Sequence, residues 1–262
     1  MRAAFATLVT SPDYATGAVA LARSLRRTGT DAPLLVLAKP GIPGLDAVER
    51  AGGTVVEVAP LPLSAAFRER HARPAQHAAA PFTKGEKPAF HDPLDNFVKL
   101  RLWELDQFER IVFLDADTVV VRAIDKLLGY PEFAAAPNLY ESLADMHRLN
   151  SGVFVAAPSK STFEAMLQHL DTPHSWWRRT DQTFLETWFA DWHGLPYTCN
   201  TLQYVYFNLP ALWHWPAIKV VHYQYEKPWQ PDHPKRDRLR PLIDLWWRLY
   251  DGEAPPEALP AV

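Results

Sequence analysis

The chain has 262 residues, 48% apolar and 22% charged, which describes an ordinary soluble globular protein long enough to bury one large core or two small ones. A formal net charge of −3 and a pI near 6.4 leave no overall electrostatic footprint for nucleic acid, although a local patch is free to meet phosphates. One cysteine, Cys199, excludes an intrachain disulfide or a four-cysteine zinc site; residues 1–10 are too short and polar for a leader, no run approaches the roughly 20 apolar residues that span a bilayer, and a cytoplasmic protein is the default expectation.

Taken in order, "AAFATLV" is a short apolar strand that ends in "TSPDY", which has the composition of a turn. "GAVALARSLRRTG" follows as a helix with Val19, Leu21, Ala22 and Leu25 on one face and Gly29 as its C-terminal stop. "PLLVLA" is a strand, "GLDAVERAGG" a short helix closed by glycines, and "TVVEVAP" a third strand. Strands separated by helices of this length predict parallel pairing and right-handed crossovers, an α/β doubly wound start.

Residues 60–95 break the rhythm. "HARPAQHAAAPFTKGEKPAFHDP" has neither helical nor alternating period, so it reads either as a flap over a site or as a solvated loop. As a flap it would bring Lys84 and Lys87 to a phosphate. "DNFVKLRLWEL" then predicts a helix capped by Asp95, with Phe97, Leu100 and Trp103 or Glu104 at helical spacing.

"RIVFLDADTVVV" is a strand that runs into two aspartates. In open parallel sheets ligands bind beyond the carboxyl ends of the strands. Residues i and i+2 of an extended chain point the same way, so Asp115 and Asp117 can face one ion. Two unpaired carboxylates in apolar surroundings repel and are costly to desolvate unless a cation joins them. Hard oxygen ligands of this kind suit Mg²⁺ or Mn²⁺. The plain alternative is a strand that ends at Asp115 with a polar turn after it; an EF-hand lacks its glycine and its third acidic position.

"DADT" also resembles the motif of haloacid-dehalogenase-type phosphohydrolases, but three strand–helix units precede it and no later paired acidic motif follows. A wider resemblance covers roughly residues 3–230. Six blocks in order, "AFATLVTSPDYATGA", "FVKLRLWEL", "RIVFLDADTVVV", "LNSGVFVAAPS", "TDQTFL" and "VVHYQYEKPW", resemble glycosyltransferase family 8, the glycogenin-like and galactinol-synthase-like enzymes. The resemblance implies a GT-A fold: one Rossmann-like, mostly parallel twisted sheet flanked by helices, with a smaller antiparallel part on the acceptor side. It implies a single domain over residues 1–250 and a metal-dependent, retaining transfer of a hexose from a nucleotide diphosphate sugar, UDP-glucose or UDP-galactose, to an unidentified acceptor.

The resemblance also implies roles. Asp115, Asp117 and His222 would hold Mn²⁺ or Mg²⁺. Leu8, Thr10, Ser11, Tyr14 and Ala116 would meet the nucleotide, Tyr14 by stacking on the base, and Lys227 would grip the diphosphate. Lys99, Asn150 and Ser151 would contact the donor sugar, with Asp181 and Gln182 in the catalytic region. Read alone, Lys99 is an exposed helix lysine, Tyr14 a loop aromatic, and Asp181-Gln182 the start of a helix capped by Thr180.

Departures from the family pattern matter. Cys199 stands in "LPYTCN", where glycogenin carries its self-glucosylated tyrosine, which leaves only Tyr204 and Tyr206 for a remote version of that reaction. Arg178 stands three residues before Asp181 in place of an acidic residue, which points to a charged sugar or acceptor. "HYQYEKPW" is one residue shorter than the family loop and lacks its glycine. The chain carries 10 tryptophans, read mostly as core or interface anchors. "LRPLIDLWWRLYDG" predicts an amphipathic helix that docks on its own domain, a second subunit as in a homodimer, or a membrane surface, followed by a frayed Pro-rich tail over residues 251–262. The reading from a different class is a silent nucleotide-sugar or glycan-binding module on the same fold.

Overall fold

A computed structural model describes residues 2–79 and 87–260; Lys84 lies outside them. β1 (Ala3–Val9), α1 (Pro12–Arg26), β2 (Leu34–Ala38), α2 (Leu45–Arg50) and β3 (Gly53–Glu57) alternate, and the three strands pair in parallel. α1 begins inside the stretch read as a turn. Ser11 is extended and its hydroxyl accepts from Tyr14 N at 3.4 Å, while Pro12 takes the first helical position. Turns and helix starts draw on the same residues, because Pro lacks only an amide that a first turn leaves unbonded.

Residues 60–95 are not without elements: α3 (Ala65–His71) and α4 (Arg73–Ala79) lie within them. Ser64 caps α3 by accepting from Phe67 N at 3.1 Å, and is itself held by Asp171, 107 residues away, at 2.9 Å. Phe67 and His71 stack with centroids 4.0 Å apart, and His71 Nε2 accepts from Trp177 N at 3.0 Å. Long-range partners make these helices, which local pattern could not reveal.

A 3₁₀ helix follows over Pro93–Glu104, capped by Asp92, not Asp95; Asp95 instead pairs with Lys39. Phe97, Leu100 and Trp103 recur every three residues, so only a helix of three residues per turn puts them on one line. Twelve residues is long for this conformation. Burial of Phe97, Leu100, Leu102 and Trp103, all 0% exposed, is worth roughly 1.5–3 kcal/mol each and outweighs the poorer hydrogen-bond geometry.

β4 (Arg110–Leu114) then returns to the other flank of β1. It is followed by β5 (Thr118–Val120), β6 (Ala134–Pro137), β7 (Leu149–Ala156), α5 (Lys160–Leu170), α6 (Asp181–Trp188) and β8 (His193–Gly194). The seven-stranded sheet has the order β3-β2-β1-β4-β7-β6-β8, mostly parallel, with β7 antiparallel to both neighbours. β9 (Thr201–Leu202), α7 (Val205–Asn208) and β10 (Val220–His222) complete a second sheet, β5-β10-β9. It is mixed, not antiparallel: β10 runs against β5 and along β9.

Both faces of the large sheet are covered, so its strands are continuous apolar runs. Ile111 and Phe113 of β4 face one core with Phe97, Leu100, Phe163 and Phe184. Val112 and Leu114 face the other with Val19, Leu21 and Leu25 of α1. The chain leaves β1 toward β3 and comes back at β4, which makes the carboxyl ends of β1 and β4 the switch point where such sheets bind ligands.

α8 (Arg236–Tyr250) docks on its own chain, burying Leu239, Leu242, Leu245, Trp246 and Leu249. The tail is not frayed through residue 260: Tyr206 Oη donates to Pro260 O at 2.7 Å and Trp215 Nε1 to Pro256 O at 3.1 Å. Among the described residues no helix is long and apolar enough to cross a membrane.

Candidate active site and cation centre

β4 stops at Leu114 and the chain turns. Thr118 N and Oγ1 both donate to Asp115 O, at 3.0 and 2.8 Å. The aspartates therefore converge through a turn and not along an extended strand. Asp115 N donates to Gly152 O at 2.8 Å and Tyr223 N to Asp117 O at 2.9 Å, which ties this turn to β7 and to the residue after β10. His222, the last residue of β10, brings Nε2 to 3.2 Å from Asp117 Oδ1 and 3.8 Å from Asp115 Oδ2. One ligand atom from each of the three lies within 4.8 Å of the others.

A chain of amides orients the imidazole. Gly152 N donates to Asn150 Oδ1 at 2.9 Å, which fixes that oxygen as the acceptor for Asn200 Nδ2 at 2.8 Å. Asn200 must then present its oxygen to His222 Nδ1, 2.9 Å away. Nδ1 is thereby the donor, and Nε2 is the nitrogen turned to the aspartates, the arrangement of a metal-ligating histidine. Asn150 Nδ2 in turn donates to Asn138 Oδ1 at 2.9 Å. A Cβ on Gly152 would overlap the His222 ring and stand 2.8 Å from Asn150 Oδ1. Gly152→Ala is therefore expected to weaken Mn²⁺ binding about 10- to 100-fold, the usual cost of a disturbed outer shell; a calorimetric Mn²⁺ titration checks it.

Burial pushes both carboxyls up. At Asp117 the Lys227 ammonium and His222 overcome it and hold the group well below the usual range. At Asp115 burial, helped by the Asp117 charge, prevails over Lys99 and leaves the group raised. A divalent cation among these atoms would relieve that mutual repulsion. The donor set, two carboxylates and one imidazole nitrogen, fits such an ion.

The opposite wall is the start of α6. Asp181 Oδ2 accepts from Lys99 Nζ at 2.8 Å and Ser151 Oγ at 2.7 Å, and Thr180 Oγ1 lies 2.9 Å from Oδ1. Thr180 does not cap the helix; its hydroxyl serves the carboxylate. Lys99 is no exposed helix lysine. It is 4% exposed, and its ammonium also sits 3.0 Å from Asp115 Oδ1 and 3.1 Å from Ser151 O. Burial works against its charge, but Asp115 and Asp181 win and hold its pKa above the ordinary lysine value. Thr180 at φ 53° and Tyr225 at φ 64° are the non-glycine residues with positive φ among those described. Each costs about 1–3 kcal/mol, and both line the cavity between the two walls.

That cavity, about 360 Å³, is lined by Leu8, Thr10, Tyr14, Lys99, Asp115, Ala116, Asp117, Ser151, Asp181, Gln182 and His222 among others. The structure thus brings together most of the site residues read from the sequence. Three stand apart from the lining. Ser11 caps α1, Asn150 is the scaffold beneath His222, and Lys227, 1% exposed, is clasped to Asp117 Oδ2 and donates to Tyr223 O at 2.9 Å. Tyr14 Oη and His91 Nδ1 are hydrogen-bonded at 3.1 Å, and the Tyr14 ring meets Phe90 edge-on at 5.3 Å. Gly17 lets α1 approach the aspartate turn, since a Cβ there would overlap Ala116 O and reach 2.9 Å from Trp229.

Asn138, Asn200 and Arg179 were missed by sequence reasoning, their roles set by contacts far along the chain. Lys87 does line the cavity, half-buried, its ammonium 5.1 Å from the centre of the Tyr225 ring. Loss of hydration and the Lys227 charge pull its pKa down to about 8. If it meets a phosphate, affinity for UDP should fall as pH rises through about 8, where the free protein loses this cation, and Lys87→Arg should remove that step. Titrations at pH 7 and 9 check it. Tyr204 and Tyr206 are 1% and 2% exposed, with their hydroxyls donated to Glu226 Oε2 at 2.5 Å and to Pro260 O; neither is offered as a glucosylation site.

Residues 7–233 match the sequence profile of glycosyl transferase family 8. UDP-glucuronate:xylan alpha-glucuronosyltransferase 1 of Arabidopsis thaliana is 30% identical over 245 residues, 87% of this chain and 32% of its own. Glycogenin-1 of Homo sapiens is 32% identical over 269 residues, 94% and 71% of the two chains. The solved galactosyltransferase LgtC, in complex with donor and acceptor sugar analogs, superposes with a TM-score of 0.60 at 15% identity over 97% of each chain. The chain spans only 32% to 42% of the length of the plant relatives above and beside it. The sheet order, with a carboxylate–carboxylate–imidazole cluster at its switch point, defines a GT-A fold. The chain belongs to glycosyl transferase family 8.

Proposed function

We propose that this protein transfers a sugar from a UDP-linked donor to an acceptor, with retention and with a divalent cation, Mn²⁺ or Mg²⁺. The convergence of Asp115, Asp117 and His222 on one point of a cavity whose far wall carries Asp181 is the observation that carries this reading. The relatives, a UDP-glucuronate:xylan alpha-glucuronosyltransferase and a glycogenin, are compatible with it.

The cation, bound by Asp115, Asp117 and His222, would offset the charge that develops on the departing diphosphate. Leu8, Thr10 and Tyr14 hold the uridine, and Lys87 adds a positive charge beside the phosphates. Lys99 and Ser151 hold the Asp181 carboxylate toward the anomeric carbon, where positive charge grows as the glycosidic bond breaks. Gln182, 8% exposed on the same wall, orients the sugar through its amide. A cytoplasmic setting and a homodimer stay proposals as well, the second drawn from the exposed face of Trp247 on α8.

The test is release of UDP from UDP-sugars. We expect slow hydrolysis with Mn²⁺ that stops with EDTA and returns when metal is restored. Equal rates with and without metal, or preference for GDP-sugars, would overturn the reading.

A further inference from the structure

Arg178 and Arg179 both line the cavity and are exposed to it. Neither guanidinium has a carboxylate partner among the described residues. The backbone that carries them is fixed on each side. Trp177 N is bonded to His71, Trp177 O accepts from Gln76 Nε2 at 3.0 Å, and Arg179 N donates to Thr183 Oγ1 at 3.0 Å. The strained φ of Thr180 then turns the chain from Arg179 into Asp181. Two guanidiniums without a carboxylate partner among the described residues are thus carried on a hydrogen-bonded loop that leads into Asp181.

We propose that Arg178 and Arg179 read a carboxylate on the donor sugar, so that the donor is a nucleotide-linked hexuronate and not a neutral hexose. The inference rests on the transferase reading above and sharpens it.

The charges favour this assignment. Lys99 is matched by Asp115 and Asp181, and Lys227 by Asp117. A divalent cation and a diphosphate bring equal and opposite charge. Among the described residues Asp145 lines the cavity too, so four carboxylates stand against Lys87, Lys99, Lys227 and the two arginines, and one positive charge is left over. The nucleotide's phosphates are bound to follow the cation, at the aspartate turn, whereas the arginines lie two and three residues before Asp181 on the facing wall. A neutral hexose would present only hydroxyls to groups that have five donors, no acceptor and a fixed charge. A carboxylate matches the fork of a guanidinium in shape and in sign. Arg179 lines the same cavity as Tyr140 and Tyr225, and its charge opposes the upward push of burial on both phenols.

The experiment is a calorimetric panel with Mn²⁺ present: UDP, UDP-glucose, UDP-galactose, UDP-glucuronate and UDP-galacturonate, each against the wild type and the Arg178→Ala/Arg179→Ala variant. Both side chains are exposed, so the variant should fold. We expect at least one uronate to bind about tenfold tighter than its neutral counterpart, and the variant to lose that preference while UDP itself changes less than about twofold. Equal binding of uronate and neutral donors, or a preference that survives in the variant, overturns the proposal and leaves the arginines to an acidic group on the acceptor. UDP separates the two levels of the argument. If UDP binds and no uronate is preferred, only this inference falls; if UDP does not bind, the nucleotide reading falls and takes the inference with it.

Discussion

Asp181→Asn is expected to lower turnover about 10²- to 10³-fold, with UDP affinity held within about threefold. Asparagine keeps the shape and can still accept from Ser151 Oγ, now at 2.7 Å from Oδ2. What it loses is the negative charge at the point where the sugar becomes cationic, a loss felt in the transition state and hardly at all in the bound nucleotide. Lys99 keeps Asp115 at 3.0 Å, so the cation centre should persist. A rate and a titration on the same sample separate the alternatives. A silent binding module would show no turnover to lose, and a merely structural Asp181 would lower stability and affinity together.

Asp117→Ala should act through two routes at once. It removes a ligand from the triad, and it strips the buried Lys227 ammonium of its counter-ion. An unpaired buried charge costs about 3–5 kcal/mol, so the variant should melt several degrees lower as well as lose metal-dependent activity. Adding Lys227→Met removes the orphaned charge. The double variant is therefore expected to regain most of the stability and none of the Mn²⁺ binding. Thermal unfolding read beside an Mn²⁺ titration checks both halves. Recovery of metal binding in the double variant would show that Asp117 serves the fold alone.

The parts of the molecule that were legible in the sequence are those fixed by local rules. β1 and β4 are continuous apolar runs because both faces of the sheet are covered, and the two aspartates follow β4 because strand ends at the switch point are where such sheets bind ligands. His222, at the end of another apolar strand, was picked out by the family resemblance and not by its position alone. Contacts that join distant segments were not legible. The bond from Asp171 that supports Ser64 spans 107 residues, so α3 and α4 read as featureless loop. The Asn138–Asn150–Asn200 chain behind His222 joins three distant segments: Asn150 was read as a donor-sugar contact, and Asn138 and Asn200 carried no signal at all. Lys227 was assigned to the diphosphate, but its burial shows a brace on Asp117 in this conformation. Tail docking was hidden for a similar reason, since Pro256 and Pro260 act through backbone carbonyls that carry no side-chain signature.

Calorimetric titration of UDP into the protein, with Mn²⁺ and then with EDTA, tests the central claim most directly. The Asp115→Ala/Asp117→Ala variant is run beside it under the same two conditions. The account predicts tight binding that needs both the metal and the aspartates. Binding of equal strength in EDTA, or in the double variant with Mn²⁺, would contradict it, because the turn after β4 would then have no part in holding a donor.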